Sequence, residues 1–94
     1  MTSPFAVRSA GQEPAYDVLL DERGSLCPLP VIALARAFAA ARPPARVLVL
    51  ADDPAAATDI PAWCAMRQHT LAWTGRSPEG TPAFLVTDER PGSP

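Results

Sequence analysis

The chain contains no lysine, and all eight basic residues among its 94 residues are arginine. The absence of lysine excludes Schiff-base chemistry and a lysine general base. Ten acidic residues leave a net charge of −2, so the composition indicates no basic surface that would hold nucleic acid through its phosphates. We therefore expect no direct nucleic-acid partner.

Cysteine and histidine are also scarce. Cys27 and Cys64 lie too far apart in the sequence for a zinc knuckle or a C-x-x-C redox pair, and His69 is the single histidine. One histidine and two distant cysteines do not complete a metal site without an unusual carboxylate ligand. The sequence therefore predicts two free thiols, no metal and no cofactor, with His69 structural or solvent-facing.

Long apolar runs are absent as well. Apolar residues make up 48% of the chain, yet no stretch reaches the roughly twenty residues of a membrane span. The first residues also lack the apolar core of a signal peptide. We expect one small domain over residues 15–89, cytoplasmic and monomeric, between disordered tails at residues 1–14 and 90–94.

The first half of the domain shows a strand, a helix and a second strand. Residues 16–21 alternate in polarity, which predicts a strand with Tyr16, Val18 and Leu20 on one face. Apolar side chains at helical spacing follow over residues 31–38, and the predicted helix ends near residues 42–44. Arg46–Ala51 is a buried strand by composition, and a helix between two strands favours a parallel crossover.

The second half predicts a helix and a hairpin. The helix runs from Asp59 to Gln68, with Thr58 as its N-cap and Pro61 in its first turn. Residues 71–74 and 83–87 are predicted strands, joined by a loop over residues 75–82. The order βαβαββ predicts an α/β two-layer sandwich, a four-stranded mixed sheet with two helices on one face and an open second face.

Cys27 lies between the first strand and the first helix and is the best candidate for chemistry. Pro28 and Pro30 suit a first helical turn, where the missing amide has no intrahelical partner. The free N–H groups and the dipole of that turn would lower the pKa of a thiol below its usual value of about 8.5. The alternative is a small buried hydrophobe. Cys64, among apolar neighbours in the second helix, is expected to pack in the core.

Two sequence blocks carry a recognisable pattern. Asp21–Pro30 has the form D-x-R-G-x-x-C-P-x-P, and Ala51-Asp52-Asp53-Pro54 is followed by Asp59-Ile60-Pro61 and by Cys64. Because both blocks occur in this order and spacing, the chain resembles the TusA-like (SirA-like) sulfur-carrier family over about residues 16–88.

The resemblance implies a persulfide relay. In that family the cysteine of the C-P-x-P motif, Cys27 by position, accepts a sulfane sulfur from a donor protein. The donor is a cysteine desulfurase or another persulfide donor, and the sulfur passes on to the cysteine of an acceptor protein. Members serve tRNA thiolation, molybdenum-cofactor maturation or sulfur oxidation, and the fold does not choose among them. Such a protein is a sulfurtransferase-type carrier more than a catalyst with an acid and a base.

The other motif residues are expected to support Cys27. Gly24 would supply a permissive φ. Arg23 would add positive potential near the sulfur, pair with a partner's carboxylate, or form a salt bridge to Asp52 or Asp53. The two aspartates follow the second strand at the same edge as Cys27, so they would shape the loop or contact a donor protein.

Two other function classes stay open. The first is an adaptor or regulatory domain of the same fold that binds a protein partner through the open sheet face. The second is an enzyme of another class, with Asp52 and Asp53 as a general acid and base, although nothing in the sequence supplies a substrate pocket for them.

Overall fold

The computed structural model describes residues 15–88, which form two helices and four strands. The elements in chain order are β1 (Val18–Asp21), α1 (Leu29–Ala40), β2 (Arg46–Leu50), α2 (Ala56–Arg67), β3 (Thr70–Arg76) and β4 (Pro82–Thr87). The tails predicted at residues 1–14 and 90–94 lie outside the described residues, as does residue 89.

The sheet is mixed, with the strand order β1-β2-β4-β3. β1 and β2 are parallel and are joined by α1, whereas β4 runs antiparallel to both β2 and β3. The predicted βαβαββ order and the parallel crossover are confirmed. Because β1 and β2 are parallel, their carboxyl ends meet at one edge of the sheet, where the loops before α1 and α2 begin.

Both helices cover the same face of the sheet. Leu34 of α1 and Ile60 and Trp63 of α2 pack against alternate residues of the two central strands, namely Val47, Val49, Phe84 and Val86. The intervening residues of those strands point to the other face, as the period of two in a strand requires. This division confirms a two-layer sandwich.

The face opposite the helices is not the open surface expected from the sequence. Four residues on that face form a second apolar cluster and are at most 4% exposed: Leu48, Leu50, Ala83 and Leu85. Tyr16, Leu19 and Trp73 pack around them. The central strands are therefore buried on both faces, which explains their nearly continuous apolar sequence.

The first strand is shorter than predicted. It begins at Val18, because the chain bends at Asp17, whose carboxylate accepts the Arg46 N–H at 2.9 Å. The bend interrupts the alternation on which the prediction rested. Tyr16 accordingly packs with the cluster opposite the helices, whereas Val18 and Leu20 pack on the helical side.

The second helix begins earlier than predicted, at Ala56, so Thr58 lies inside it and is not the N-cap. The Asp53 carboxylate accepts the Ala55 N–H at 3.1 Å, and the Asp53 carbonyl accepts the Ala56 N–H at 2.9 Å. Aspartate followed by proline is itself a helix-start pattern, and it outweighs the later threonine. Pro61 therefore lies beyond the first turn, on a partly exposed side of the helix.

The first helix matches its prediction at the start and stops earlier at the end. Pro28 is the N-cap and Pro30 is the second helical residue, while the helix ends at Ala40 rather than near residues 42–44. Neither helix among residues 15–88 has the length and apolar character needed to cross a bilayer.

The hairpin loop is shorter than predicted, because β3 continues through Gly75 to Arg76. The loop over residues 77–81 closes through a hydrogen bond of 2.8 Å from the Ser77 N–H to the Thr81 carbonyl. Glycine in this strand has a steric cause, since a Cβ at Gly75 would overlap the side chain of Trp73. The lack of a side chain at Gly75 therefore leaves space for the Trp73 ring, and this glycine does not mark a turn.

We predict that Gly75→Ala destabilises the domain by about 1–3 kcal/mol, because the added methyl group displaces the Trp73 ring. Urea unfolding followed by circular dichroism measures the change. In a Trp73→Ala background the same substitution should cost less than half as much. Equal costs in the two backgrounds would show that the ring is not the reason for the glycine.

Candidate functional site

Cys27 lies at the sheet edge where β1 and β2 both end. It is the residue before Pro28, the N-cap of α1, and its thiol is free. The side chain is partly buried against the helical core but retains solvent access. The predicted position at the start of a helix is confirmed, and Cys27 is only partly buried.

Two carboxylates from the loop after β2 hold the loop that carries Cys27. Asp53 accepts the Cys27 N–H at 2.8 Å, and Asp52 accepts the Gly24 N–H at 2.9 Å. The first of these bonds, with a smaller contribution from the Ala55 N–H, lowers the pKa of Asp53. Gly24 has a φ of 84°, the left-handed conformation that favours glycine. The expectation that both aspartates shape the loop agrees with these bonds.

Arg23 is paired with Asp21 and not with either of those aspartates. Its guanidinium donates to both oxygens of the Asp21 carboxylate, at 2.8 and 2.6 Å, which lowers the pKa of Asp21 to about 2. Glu79 is a more distant neighbour at 4.0 Å. Of the alternatives for Arg23, the salt bridge to Asp52 or Asp53 is therefore wrong, because Asp21, the last residue of β1, binds the guanidinium.

The environment of Cys27 raises the pKa of its thiol, so the expected acidification is wrong. Burial is the largest cause. The Asp59 carboxylate follows, both by accepting a hydrogen bond from the thiol and by its charge, and the charge of Asp53 adds to the effect. Each of these influences favours the neutral thiol over the thiolate.

The helix start does not offset these influences, because few of its amide donors are free. Pro28 and Pro30 have no N–H. The Leu29 N–H donates to the Leu26 carbonyl at 2.9 Å, and the N–H of Cys27 itself is held by Asp53. The same prolines that suit a helix start thus remove the groups that would have stabilised an anion there.

Asp59 is the site residue that the sequence did not single out for a role. It lies in the first turn of α2, and the early start of that helix brings the turn to the edge occupied by Cys27. The sequence feature that could have identified Asp59 is the Asp53-Pro54 helix start. It places Asp59 in the first turn of α2, directly after the loop whose Asp53 accepts the Cys27 N–H.

The remaining thiol and imidazole are structural. Cys64 is 3% exposed in the helical core, and burial raises its pKa to about 11, in agreement with the predicted packing role. The His69 ring packs on the rings of Phe38 and Trp63, with centroid distances of 4.5 and 4.7 Å. Among residues 15–88, no group of three or more histidine, cysteine or acidic side chains is arranged to hold a metal ion.

A shallow cleft of about 550 Å³ lies beside the C-terminal halves of the two helices. Phe38, Trp63, Arg67 and His69 are among its lining residues, and Cys27 is not. The candidate sulfur is therefore outside this cleft.

Comparisons with known proteins place these features in a family. A family model described as sulfurtransferase TusA matches residues 18–87, which is most of the chain and includes every element described above. The crystal structure of the SirA-like protein from Desulfitobacterium hafniense is similar, with a TM-score of 0.68 at 19% identity. That alignment covers 79% of this chain and 100% of the other. At this identity the structural likeness establishes the fold.

We predict that Cys27 of the free protein titrates above the usual thiol value of about 8.5, because burial and two carboxylates oppose its ionisation. Iodoacetamide alkylation of Cys64→Ser protein, followed by mass spectrometry across the neutral and alkaline range, measures this pKa. A value below that of a free thiol would restore the helix-terminus explanation.

We predict that Asp53→Ala lowers the thermal midpoint at pH 7 more than Asp53→Asn does, because asparagine keeps one acceptor oxygen for two N–H groups. The pKa of Asp53 is lower in the folded state than its unfolded value of about 3.9. Its contribution is therefore complete above about pH 4 and is lost as the pH falls through the folded pKa.

Thermal unfolding of wild type and Asp53→Ala at a series of pH values tests this dependence. The difference in midpoint should shrink in acid, once the carboxylate of the wild type is protonated. A difference that stayed constant through the acid range would contradict the assigned role of the charged form.

Proposed function

The chain belongs to the TusA sulfurtransferase family, and from this membership we propose that it is a persulfide carrier whose sulfur is bound on Cys27. Membership supports a sulfur-carrier role in general. The carrier would receive sulfur from a donor protein, such as a cysteine desulfurase or another persulfide donor, and deliver it to an acceptor protein. We expect it to act as a cytoplasmic monomer in one sulfur route, such as tRNA thiolation, molybdenum-cofactor maturation or sulfur oxidation.

The observation that carries the proposal is one partly exposed cysteine on a firmly held loop. Cys27 is partly exposed, while Cys64 is buried in the core. A relay cysteine has to be reached by the cysteines of two other proteins in turn, and Cys27 is accessible enough to meet that requirement. Hydrogen bonds from the Gly24 and Cys27 N–H groups to the carboxylates of Asp52 and Asp53 fix the loop, so little conformational freedom is lost when a partner docks.

The proposed chemistry is an exchange of one sulfane sulfur without net oxidation. The Cys27 sulfur attacks the outer sulfur of the donor persulfide, and a new S–S bond forms as the S–S bond of the donor breaks. The donor cysteine leaves as a thiolate and takes the proton that Cys27 lost. In the second half the acceptor cysteine attacks the outer sulfur on Cys27, and Cys27 returns to the thiol.

The other motif residues are proposed to position Cys27 and not to react. Gly24 and Asp52 set the turn before it, Asp53 holds its N–H, and Pro28 and Pro30 begin α1 directly after it. Arg23 stiffens the exposed side of the loop through its pair with Asp21. Removing any one of them should slow transfer, whereas removing Cys27 should abolish it.

We predict that incubation with a cysteine desulfurase and cysteine, or with inorganic polysulfide, adds the mass of one sulfur atom to the protein. The added sulfur should be lost in Cys27→Ser and retained in Cys64→Ser, because only the first substitution removes the accessible thiol. Intact-protein mass spectrometry, with reduction by dithiothreitol to remove the sulfur, makes the measurement.

The two cysteine variants are matched controls for each other. If neither sulfur source loads Cys27, the carrier proposal is wrong, and an adaptor domain that binds partners without carrying sulfur becomes the better explanation. If Cys64→Ser loses the sulfur and Cys27→Ser keeps it, the assignment of the site is wrong.

A further inference from the structure

Large apolar side chains are exposed around Cys27. Leu26 is 71% exposed, Leu29 is 53% exposed and Ile32 is 41% exposed. Leu29 and Ile32 are three residues apart on α1 and share one side of that helix, and Leu26 immediately precedes Cys27. We call these three residues the apolar patch. The Leu29 N–H donates to the Leu26 carbonyl at 2.9 Å, which keeps the loop residue close to the helix. Large exposed apolar side chains grouped in this way on a small domain are typical of an interaction surface.

The charges beside Cys27, at the start of α1, are mainly negative. The Asp53 carboxylate accepts the Cys27 N–H at 2.8 Å. The charges of Asp59 and Asp53 both raise the pKa of the Cys27 thiol. Asp52 is engaged at Gly24 in the same loop. Arg23, the nearest basic residue in the sequence, is occupied by the bidentate bond to Asp21. The next cation is Arg36, one turn and about 6 Å beyond Ile32 on the same side of α1, at the end of the patch away from Cys27.

We propose that the partner which exchanges sulfur with Cys27 docks on the apolar patch and brings a basic side chain to Asp59 and Asp53, next to its own reactive cysteine. This inference rests on the proposed function, since it describes the protein that meets Cys27 in the relay. The occupant is a protein surface that combines apolar residues with arginine or lysine. A partner with acidic residues beside its cysteine is excluded by like-charge repulsion.

The basic group has a defined role in the exchange. In the free protein, burial and the carboxylates of Asp59 and Asp53 raise the pKa of the Cys27 thiol and so favour the neutral form over the nucleophilic thiolate. A cation near Asp59 and Asp53 offsets their charge and favours the anionic sulfur during attack. The proton that leaves Cys27 passes to the departing donor thiolate, so the exchange needs no other reactant.

Three short peptides test the proposal without any persulfide. Each carries one cysteine activated as a disulfide with 2-thiopyridine, and the flanking residues are Leu-Arg on both sides, Leu-Glu on both sides, or Ser-Arg on both sides. Cys27 attacks the peptide sulfur, a mixed disulfide forms and 2-thiopyridone leaves, so absorbance reports the rate. Cys64→Ser protein is used throughout, at neutral pH and low salt.

We expect the Leu-Arg peptide to react about tenfold faster than the Leu-Glu peptide, with the ratio falling as salt is added. Asp59→Asn should reduce this preference severalfold. Asp17→Asn is the matched control, because it removes the same charge at the opposite end of β1 and leaves an oxygen to accept the Arg46 N–H. Equal rates for the two peptides, or equal effects of the two variants, would overturn the proposal that the partner brings a basic side chain to Asp59 and Asp53.

A second comparison tests whether the apolar patch contributes to docking. Leu29→Ser should slow the Leu-Arg peptide and leave the Ser-Arg peptide unchanged, while Ala35→Ser, on an exposed position of the same helix, should affect neither. Loss of rate with both peptides would contradict a docking role for Leu29.

The same samples separate this inference from the proposed function. Polysulfide loading of Cys27 tests the carrier role alone, since no partner is present. Normal loading with no discrimination among peptides would overturn the inference and leave the carrier role intact. Discrimination among peptides without loading would overturn the carrier role and retain a basic, apolar partner.

Discussion

The hydrogen bond from the Cys27 N–H to the Asp53 carboxylate connects the loop that precedes α1 with the loop that precedes α2. Asp53 starts α2 through the Ala55 N–H and at the same time holds the residue that precedes α1. This arrangement is available because β1 and β2 are parallel and end at the same edge of the sheet. The position of the sulfur therefore depends on the sheet topology as much as on the loop that contains it.

Features set by local pattern were predictable from the sequence. The apolar runs of β2 and β4, the alanine-rich α1 and the prolines that follow the cysteine all led to the correct order of elements and to a cysteine at a helix start. Features set by tertiary contacts were not. Tyr16 changes face because of a bond between Asp17 and β2, and Gly75 belongs to a strand because a tryptophan ring lies over it.

At the site itself, the position of Cys27 follows from the local sequence pattern, whereas the pKa of its thiol depends on tertiary contacts. The helix start was predicted correctly, but the state of the thiol depends on which amides are free and which charges arrive from elsewhere in the chain. Pro28 and Pro30 remove donors, and Asp59 comes from a helix distant in sequence. A resting neutral thiol suits a carrier, because a sulfur that stays weakly nucleophilic until a partner arrives is less prone to unproductive oxidation.

In the strand order β1-β2-β4-β3, the outermost strands, β1 and β3, each have a neighbouring strand on one side only. β1 has only four residues, and the pairing of β3 with β4 is irregular between Leu71 and Trp73, which indicates a bulge. Short and bulged edges are poor templates for strand addition by a second copy. A domain with so much apolar sequence in its central strands is thereby protected against edge-to-edge aggregation at high concentration.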